Sequence, residues 1–170
     1  MSENERVRTR ERAPLKENMY ERSLRYYREN NERMERGAIV IKESDREPEL
    51  SRQGRLVFYM DPRTFPDLPC QQWLVFRHEV RTQSGIHRHQ GGIVIYVISG
   101  RGYSVVEGER HDWETDDLLL LPMQPGGVEH QHFNLDPANP ALWVAFLYEP
   151  LMEHIAHEIT QVSSTPEFRE

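Results

Sequence analysis

The chain has 170 residues, enough for one domain with a buried core, and 37% of them are hydrophobic. Its formal net charge is −7, but residues 1–36 hold 10 Lys and Arg against 8 Asp and Glu, whereas the remainder holds 11 against 20. The acidic body argues against a nucleic-acid partner, because phosphate binding needs a basic surface. The sequence has no apolar stretch long enough for a membrane span and no hydrophobic secretion signal, and its single cysteine, Cys70, cannot form an internal disulfide. These features predict a cytoplasmic protein without a membrane partner.

The N-terminal region divides into an arm and a helix. Residues 1–14 are charged and end at a proline, which predicts a disordered arm. Residues 15–55 are predicted as a helical and extended segment, with a helix over 15–36 and a short strand at the following GAIVIK. The helix carries a stripe at the spacing of one helical face, and this stripe predicts a homodimer with the helix at or near its interface. The stripe consists of Tyr20, Leu24, Tyr27, Asn31 and Met34.

Residues 56–150 are predicted to form a β-barrel. Short apolar runs such as RLVFYM, IVIYVIS, DLLLLP and LWVAFLY are separated by Gly, Pro, Asp and Asn, which is typical of a sandwich or barrel. VEGERH predicts a hairpin with Gly108 at its turn. Residues 151–170 are predicted as a C-terminal helix and tail, because Leu151, Ile155 and Ile159 lie four apart.

Two pairs of histidines lie at the ends of predicted strands. Alternate residues of a strand point to one face, so His87 and His89 of GIHRHQGG are predicted to point the same way, as are His130 and His132 of PGGVEHQHFN. Neutral imidazoles suit a divalent metal of intermediate softness. An antiparallel barrel brings such strands together easily. The sequence therefore predicts a metal site made of His87, His89 and His130.

The two segments resemble the cupin superfamily, whose motifs are G(X)5HxH(X)3–4E(X)6G and G(X)5PxGxxHxxxN. The resemblance implies an all-β fold, a double-stranded β-helix (a cupin or jelly-roll barrel), to which the chain adds an N-terminal helix and a short C-terminal helix. The matching residues are His87, His89 and Gly100 in the first motif and Pro125, Gly127, His130 and Asn134 in the second.

The departures from the motifs indicate one group of cupins. Ile93 stands where many cupins have a glutamate ligand. An apolar residue there, together with HRH and a later HxHxN, resembles the gentisate 1,2-dioxygenase group, and the likeness covers about residues 70–150. Members of that group are usually two-cupin chains of about twice this length, so the chain is interpreted as a single-cupin relative. Glu129 replaces a tryptophan that often precedes the metal histidine in the group.

The resemblance implies a non-heme Fe(II) dioxygenase that uses O2 to cleave the ring of a small hydroxy- or amino-substituted aromatic acid. Three neutral ligands leave three metal positions, which suit two substrate oxygens and O2. Manganese, nickel and zinc remain alternatives, because ligand spacing does not distinguish these metals. Two other functions also remain open: a non-redox metal-dependent isomerase or lyase, and a non-catalytic small-molecule-binding cupin.

Further residues are candidates for substrate contacts. His132 is the candidate proton donor or hydrogen-bonding group. Arg77, Arg81 and Arg101 are candidates for binding a substrate carboxylate, because arginine binds carboxylates in a bidentate manner. Trp143 is a candidate wall of an aromatic pocket.

The remaining histidines have no part in the predicted site. His154 and His157, three residues apart, are predicted to face solvent from the C-terminal helix. For His78 and His111 the sequence indicates no partner.

Overall fold

Two antiparallel β-sheets and two helices make up residues 16–169, which are the residues described by the computed structural model. The helices are α1 (Met19–Arg36) and α2 (Glu149–His154), and a 3-10 turn covers Glu43–Asp45. The strands are β1 (Glu49–Leu50), β2 (Arg55–Met60), β3 (Trp73–Val80), β4 (Ile86–His89), β5 (Ile93–Ser99), β6 (Arg101–Val106), β7 (Glu109–Glu114), β8 (Leu118–Leu121), β9 (Val128–Asn134), β10 (Ala141–Tyr148) and β11 (Thr160–Ser163).

The sheets have the strand orders β1-β2-β3-β10-β5-β8 and β11-β4-β9-β6-β7. Along the central strands alternate side chains are buried, as expected for sheets that pack one face against a common core. The arrangement confirms the predicted all-β fold with a helix near each end. The core includes Val80, Ile93, Ile95, Val97, Leu121, Val128, Ala141, Ala145 and Leu147.

The hairpin predicted at VEGERH joins β6 to β7. Both central residues of its turn, Glu107 and Gly108, have positive φ angles, of 50° and 84°. A two-residue turn with two positive φ angles matches the twist of the flanking strands, and glycine adopts this conformation without steric cost. The prediction of a hairpin is confirmed.

Helix α1 begins after Asn18, whose side chain accepts a hydrogen bond from the backbone N–H of Glu21. The helix has no buried residue, and the predicted arm at 1–14 lies outside the described residues. The strand predicted at GAIVIK is wrong: residues 37–42 are irregular, and Ile39 and Val40 are exposed. An isolated apolar run does not form a strand without neighbouring backbone groups to pair with. No helix within residues 16–169 is long and apolar enough to cross a membrane.

The predicted C-terminal helix is present but shorter than the apolar spacing indicated. It ends at His154, and Thr160–Ser163 forms β11, which pairs with β4. A turn directly after the helix ends it: Ala156 adopts φ 51°, and the N–H of His157 donates to the carbonyl of Met152. The β-branched residues beyond this turn favour a strand. The helical interpretation of Ile159 is therefore wrong.

Candidate active site

Strands β4 and β9 bring three histidines together. His87 and His130 are directly paired across the two strands, and His89 lies two residues further along β4 on the same face. All three side chains are buried, and one donor nitrogen from each lies within 4.8 Å of the others. The ring centroids are 4.2 Å apart for His87 and His130, and 4.6 Å apart for His89 and His130. The structure thus assembles the predicted set.

Backbone contacts orient two of these rings. The Nδ1–H of His130 donates to the carbonyl of Val128 at 3.0 Å, so its Nε2 keeps a free lone pair. The backbone N–H of Gly91 donates a hydrogen bond to Nδ1 of His89 at 3.0 Å. Gly91 has φ 77°, and a Cβ there would lie 1.9 Å from the carbonyl oxygen of Pro122. Only glycine fits at this bend after His89.

Burial keeps the three rings neutral. It lowers the pKa of His89 to about 3 and holds the pKa of His87 well below its ordinary value. It also lowers the pKa of His130, although the Val128 carbonyl opposes the shift. A histidine binds a metal through the lone pair of its neutral imidazole, so the three histidines are in the required form at neutral pH. The donor set fits a divalent transition metal.

The histidines line a cavity of about 350 Å³. This volume lies within the range of small-molecule sites. Ile93, which stands where many cupins have a glutamate ligand, also lines the cavity. Most of the remaining wall is apolar: Phe58, Leu74, Phe76, Ile95, Leu121, Trp143, Ala145, Leu147 and Met152.

His132, the predicted proton donor, is fully buried and lines the same cavity. The Trp113 Nε1–H donates to Ser104 Oγ at 2.9 Å, and Ser104 Oγ lies 2.7 Å from His132 Nδ1. Because Ser104 Oγ accepts from Trp113, its own hydrogen can be donated to Nδ1 of His132. With the hydrogens assigned in this way, each of the three polar atoms has a partner. In that arrangement the neutral ring of His132 carries its proton on Nε2.

Trp143 also lines the cavity, as predicted for an aromatic wall. Its ring lies 4.9 Å from that of His132 and 4.6 Å from that of His78. Its Nε1–H is buried without a hydrogen-bond partner among the described residues. His78, which the sequence left without a role, is a further buried member of this cavity.

The three predicted carboxylate-binding arginines do not line the cavity, which corrects their proposed placement. Arg77 pairs with Glu43 at 2.9 Å, Arg81 pairs with Glu79 at 2.7 Å, and Arg101 is exposed at the start of β6. Strand alternation explains this, because Phe76 and His78 point inward from β3 and Arg77 therefore points outward. Among the described arginines, Arg63 lines the cavity instead.

Sequence reasoning missed Arg63, His78 and His157. The prediction that His157 faces solvent is wrong, because it lines the cavity with its ring 5.0 Å from that of His89. Alternation with Phe76 on the predicted strand could have indicated that His78 points inward. Arg63 and His157 lie in irregular segments, where no periodicity sets the direction of a side chain.

The buried His78 predicts a loss of stability in acid. Burial lowers its pKa to about 3 in the folded protein, whereas an exposed histidine in the unfolded chain titrates near 6.5. The stabilisation from keeping it neutral is complete above about pH 6.5 and is lost as the pH falls toward 3. Between pH 8 and pH 5 we expect His78 alone to lower the free energy of unfolding by about 2 kcal/mol. Urea unfolding of the metal-free protein at several pH values measures this.

The His78→Gln variant should show a shallower fall of unfolding free energy with acidification than the wild type. His111→Gln is the matched control, because His111 is exposed on β7. A His78→Gln variant with the same pH slope as the wild type would show that His78 does not contribute to acid unfolding.

The comparison with known families agrees with this fold and site. Residues 74–147 match the cupin domain family. This match agrees with the cupin resemblance that the motif spacing indicated. A curated relative, 5-aminosalicylate 1,2-dioxygenase from Comamonas sp., is 28% identical over 117 residues, which cover 66% of this chain and 29% of that protein. The chain thus matches less than a third of the length of that relative.

Solved structures share the fold at lower identity. Salicylate 1,2-dioxygenase from Pseudoaminobacter salicylatoxidans, in complex with gentisate, aligns with a TM-score of 0.54 and 18% identity over 89% of this chain and 39% of its own. The nucleoside dehydratase Pac13 from Streptomyces, solved with uridine, aligns with a TM-score of 0.54 and 15% identity over 76% of this chain and 94% of its own. The polyketide cyclase RemF from Streptomyces resistomycificus also aligns with a TM-score of 0.54, at 15% identity over 76% of this chain and 89% of its own. The fold is therefore shared by proteins of different activities.

Proposed function

We propose that the chain is a non-heme Fe(II)-dependent dioxygenase that cleaves the ring of a small hydroxy- or amino-substituted aromatic acid. The observation that carries the proposal is the cluster of three neutral histidines in a largely apolar cavity, with Ile93 at the position of a carboxylate ligand. Manganese, nickel and zinc accept the same ligands, so the three histidines do not by themselves identify the metal. That the metal is iron is therefore itself a part of the proposal. A role in the catabolism of aromatic compounds would follow from it, and we propose that the protein acts in the cytoplasm.

His87, His89 and His130 would hold the metal. Bound Fe(II) would supply positions for both a chelating substrate and O2 and would allow electrons to pass between them. The residues of the chain would orient the substrate: Trp143 would pack against its ring, and Nε2–H of His132 would donate a hydrogen bond to one of its oxygens. The apolar wall would exclude bulk water from the reacting molecules.

Metal analysis and oxygen uptake test the proposal. The protein is purified without added metal, analysed for metal, and then loaded anaerobically with Fe(II) or with Zn(II). We expect the iron form to consume O2 with 5-aminosalicylate, salicylate or gentisate and the aromatic absorbance to disappear. The zinc form should be inactive, because Zn(II) has no redox chemistry. An iron form that binds these acids without O2 uptake, and a zinc form active on another substrate, would favour non-redox chemistry instead.

Arg63 is the proposed carboxylate-binding arginine. Its Nε donates to Asp61 at 3.0 Å, its Nη2 lies 3.7 Å from Glu149, and its side chain is 67% exposed at the edge of the cavity. Charge-assisted hydrogen bonds to a carboxylate are typically worth more than neutral ones. We expect Arg63→Met to raise KM for aromatic acids by about tenfold with little change in iron content.

Arg101→Met is the control for Arg63→Met, because Arg101 lies on the outer surface and should leave KM unchanged. The KM for a neutral phenol should not respond to either substitution. If Arg63→Met leaves KM for aromatic acids at the wild-type value, the carboxylate is bound elsewhere, and direct ligation of the metal becomes the better explanation.

We also propose that the chain is a homodimer with α1 at or near the interface. The stripe on α1 is exposed in the single chain, with Tyr20 69%, Tyr27 60% and Met34 56% exposed. Burial of such side chains is favourable, and a second copy offers a surface for it. Sedimentation equilibrium at micromolar concentrations measures the expected dimer, and a monomer under those conditions would contradict the proposal.

A further inference from the structure

The segment that follows β10 forms one wall of the cavity. Met152 and Ala156, from α2 and the turn after it, line the cavity together with His157. One hydrogen bond lies within this wall, and a second ties it to the barrel. The N–H of His157 donates to the carbonyl of Met152 at 2.9 Å, and the N–H of Glu158 donates to Oε1 of Gln90 at 2.9 Å. Because Gln90 directly follows His89, the second bond ties the wall to the strand that carries two of the three clustered histidines.

His157 stands beside the histidine cluster but outside it. Its ring centroid lies 5.0 Å from that of His89, a separation comparable to the 5.5 Å between His87 and His89. The group of donor nitrogens within 4.8 Å of one another consists of His87, His89 and His130 and does not include His157. His157 is therefore placed next to the proposed metal ligands without being one of them.

The Nε2 atom of His157 is buried and has no hydrogen-bond partner among the described residues. A buried polar atom without a partner is typically destabilising, and such atoms in folded proteins call for a functional explanation. If His157 had only a structural role, its Nε2 atom would have a hydrogen-bond partner in the wall or the barrel. No hydrogen bond within residues 16–169 provides such a partner.

We propose that His157 binds the molecule held at the metal, through a hydrogen bond from its imidazole to an oxygen of a chelating ligand. The position next to His89 suits such a contact, because an oxygen bound at the metal lies adjacent to the ligand imidazoles. A neutral donor there stabilises an anionic oxygen without adding a charge to the cavity. The proposal rests on the metal site of the proposed function but does not depend on which molecule is the natural substrate.

Binding to the zinc-loaded full-length protein tests this contact without turnover, because Zn(II) holds the same ligands and has no redox chemistry. The probes are 2-hydroxybenzoate, which represents the proposed substrate class, and acetohydroxamate, a small chelator that requires only a metal. The variants are His157→Ala, His157→Gln and the matched control His154→Ala, whose side chain is exposed in the same segment. Calorimetry gives the Kd of each probe, and competition with a chelating dye gives the Kd of zinc.

We expect His157→Ala to weaken the binding of both probes by about tenfold, as for the loss of one hydrogen bond to a charged group. His157→Gln should recover part of the loss, and His154→Ala should bind like the wild type. The affinity for zinc should stay within about twofold of the wild-type value in all variants, since His157 is not a proposed ligand.

Three results would overturn the inference. Equal probe binding by the wild type and His157→Ala would mean that His157 only fills space. A tenfold or larger loss of zinc affinity in His157→Ala would make it a metal ligand. The same loss of probe binding in His154→Ala would indicate a nonspecific effect on the segment. If the wild type binds acetohydroxamate but not 2-hydroxybenzoate, the aromatic-acid function fails, and the acetohydroxamate series still decides the role of His157.

Discussion

His89→Ala is expected to abolish tight metal binding and leave the protein folded. The substitution removes one of three nitrogens within 4.8 Å of one another, and a two-ligand site holds a divalent metal far more weakly. Because loss of partners that merely orient a ligand already costs 10- to 100-fold in affinity, we expect loss of a ligand to cost more than about 100-fold. The fold should persist, since the apolar core comes from strands on both sheets and not from this ring.

Chelator competition measures the metal affinity of His89→Ala, and far-ultraviolet circular dichroism with urea unfolding of the metal-free form measures the fold. His111→Ala is the control, because it removes an exposed histidine from the same sheet. If the proposed function holds, the proposed activity on aromatic acids should disappear in His89→Ala and persist in His111→Ala. Unchanged metal affinity in His89→Ala would mean that the metal lies elsewhere.

The histidine cluster could be predicted from the sequence because it depends on short-range geometry. Alternation along a strand places His87 and His89 on one face, and likewise His130 and His132, whatever the rest of the chain does. The predicted antiparallel barrel then indicated that the two strands could lie close together. Neither segment by itself determines the register between β4 and β9. The structure shows that register, in which His87 is paired with His130.

The parts of the cavity that could not be predicted come from irregular segments. Arg63 lies in the loop between β2 and β3, and His157 lies in the turn between α2 and β11. The direction of each side chain depends on long-range contacts, such as the bond between Glu158 and Gln90, 68 residues apart. The helical spacing of Leu151 and Ile155 was misleading beyond His154, because Ala156 turns the chain and β11 then pairs with β4.

The fold itself does not select among activities, since solved structures of a dioxygenase, a dehydratase and a cyclase align with it at similar TM-scores. The differences must lie in the groups that face the bound molecule. Within the described residues the cavity holds His132, whose ring is fixed by Ser104 and Trp113 and lies beside the clustered histidines. We propose that this ring exchanges a proton with the substrate.

The proposed role of His132 predicts a loss of turnover without a loss of metal. Its ring centroid lies 5.4 Å from that of His130, and hydrogen bonds to Ser84 fix its backbone on both sides. In His132→Gln the side chain stays neutral and polar but cannot exchange a proton through an imidazole. We expect kcat to fall by about 100-fold or more, within the range typical of positioned acid–base groups. Iron content should change little, because His132 is not a proposed ligand, and the glutamine amide can still donate a hydrogen bond to the substrate, which limits the change in KM.

Ser104→Ala is the graded test of the same role, measured beside His132→Gln with the iron-loaded protein. The substitution leaves His132 Nδ1 and the Trp113 N–H without their shared partner but keeps the imidazole in the cavity. We expect kcat to fall by about tenfold, in keeping with the loss of a group that orients another. His132→Gln should also shift the pH dependence of kcat, which a loss of packing alone would not do. Turnover by His132→Gln at the wild-type rate would show that His132 fills the cavity wall, and the proton would then have to come from another group or from water.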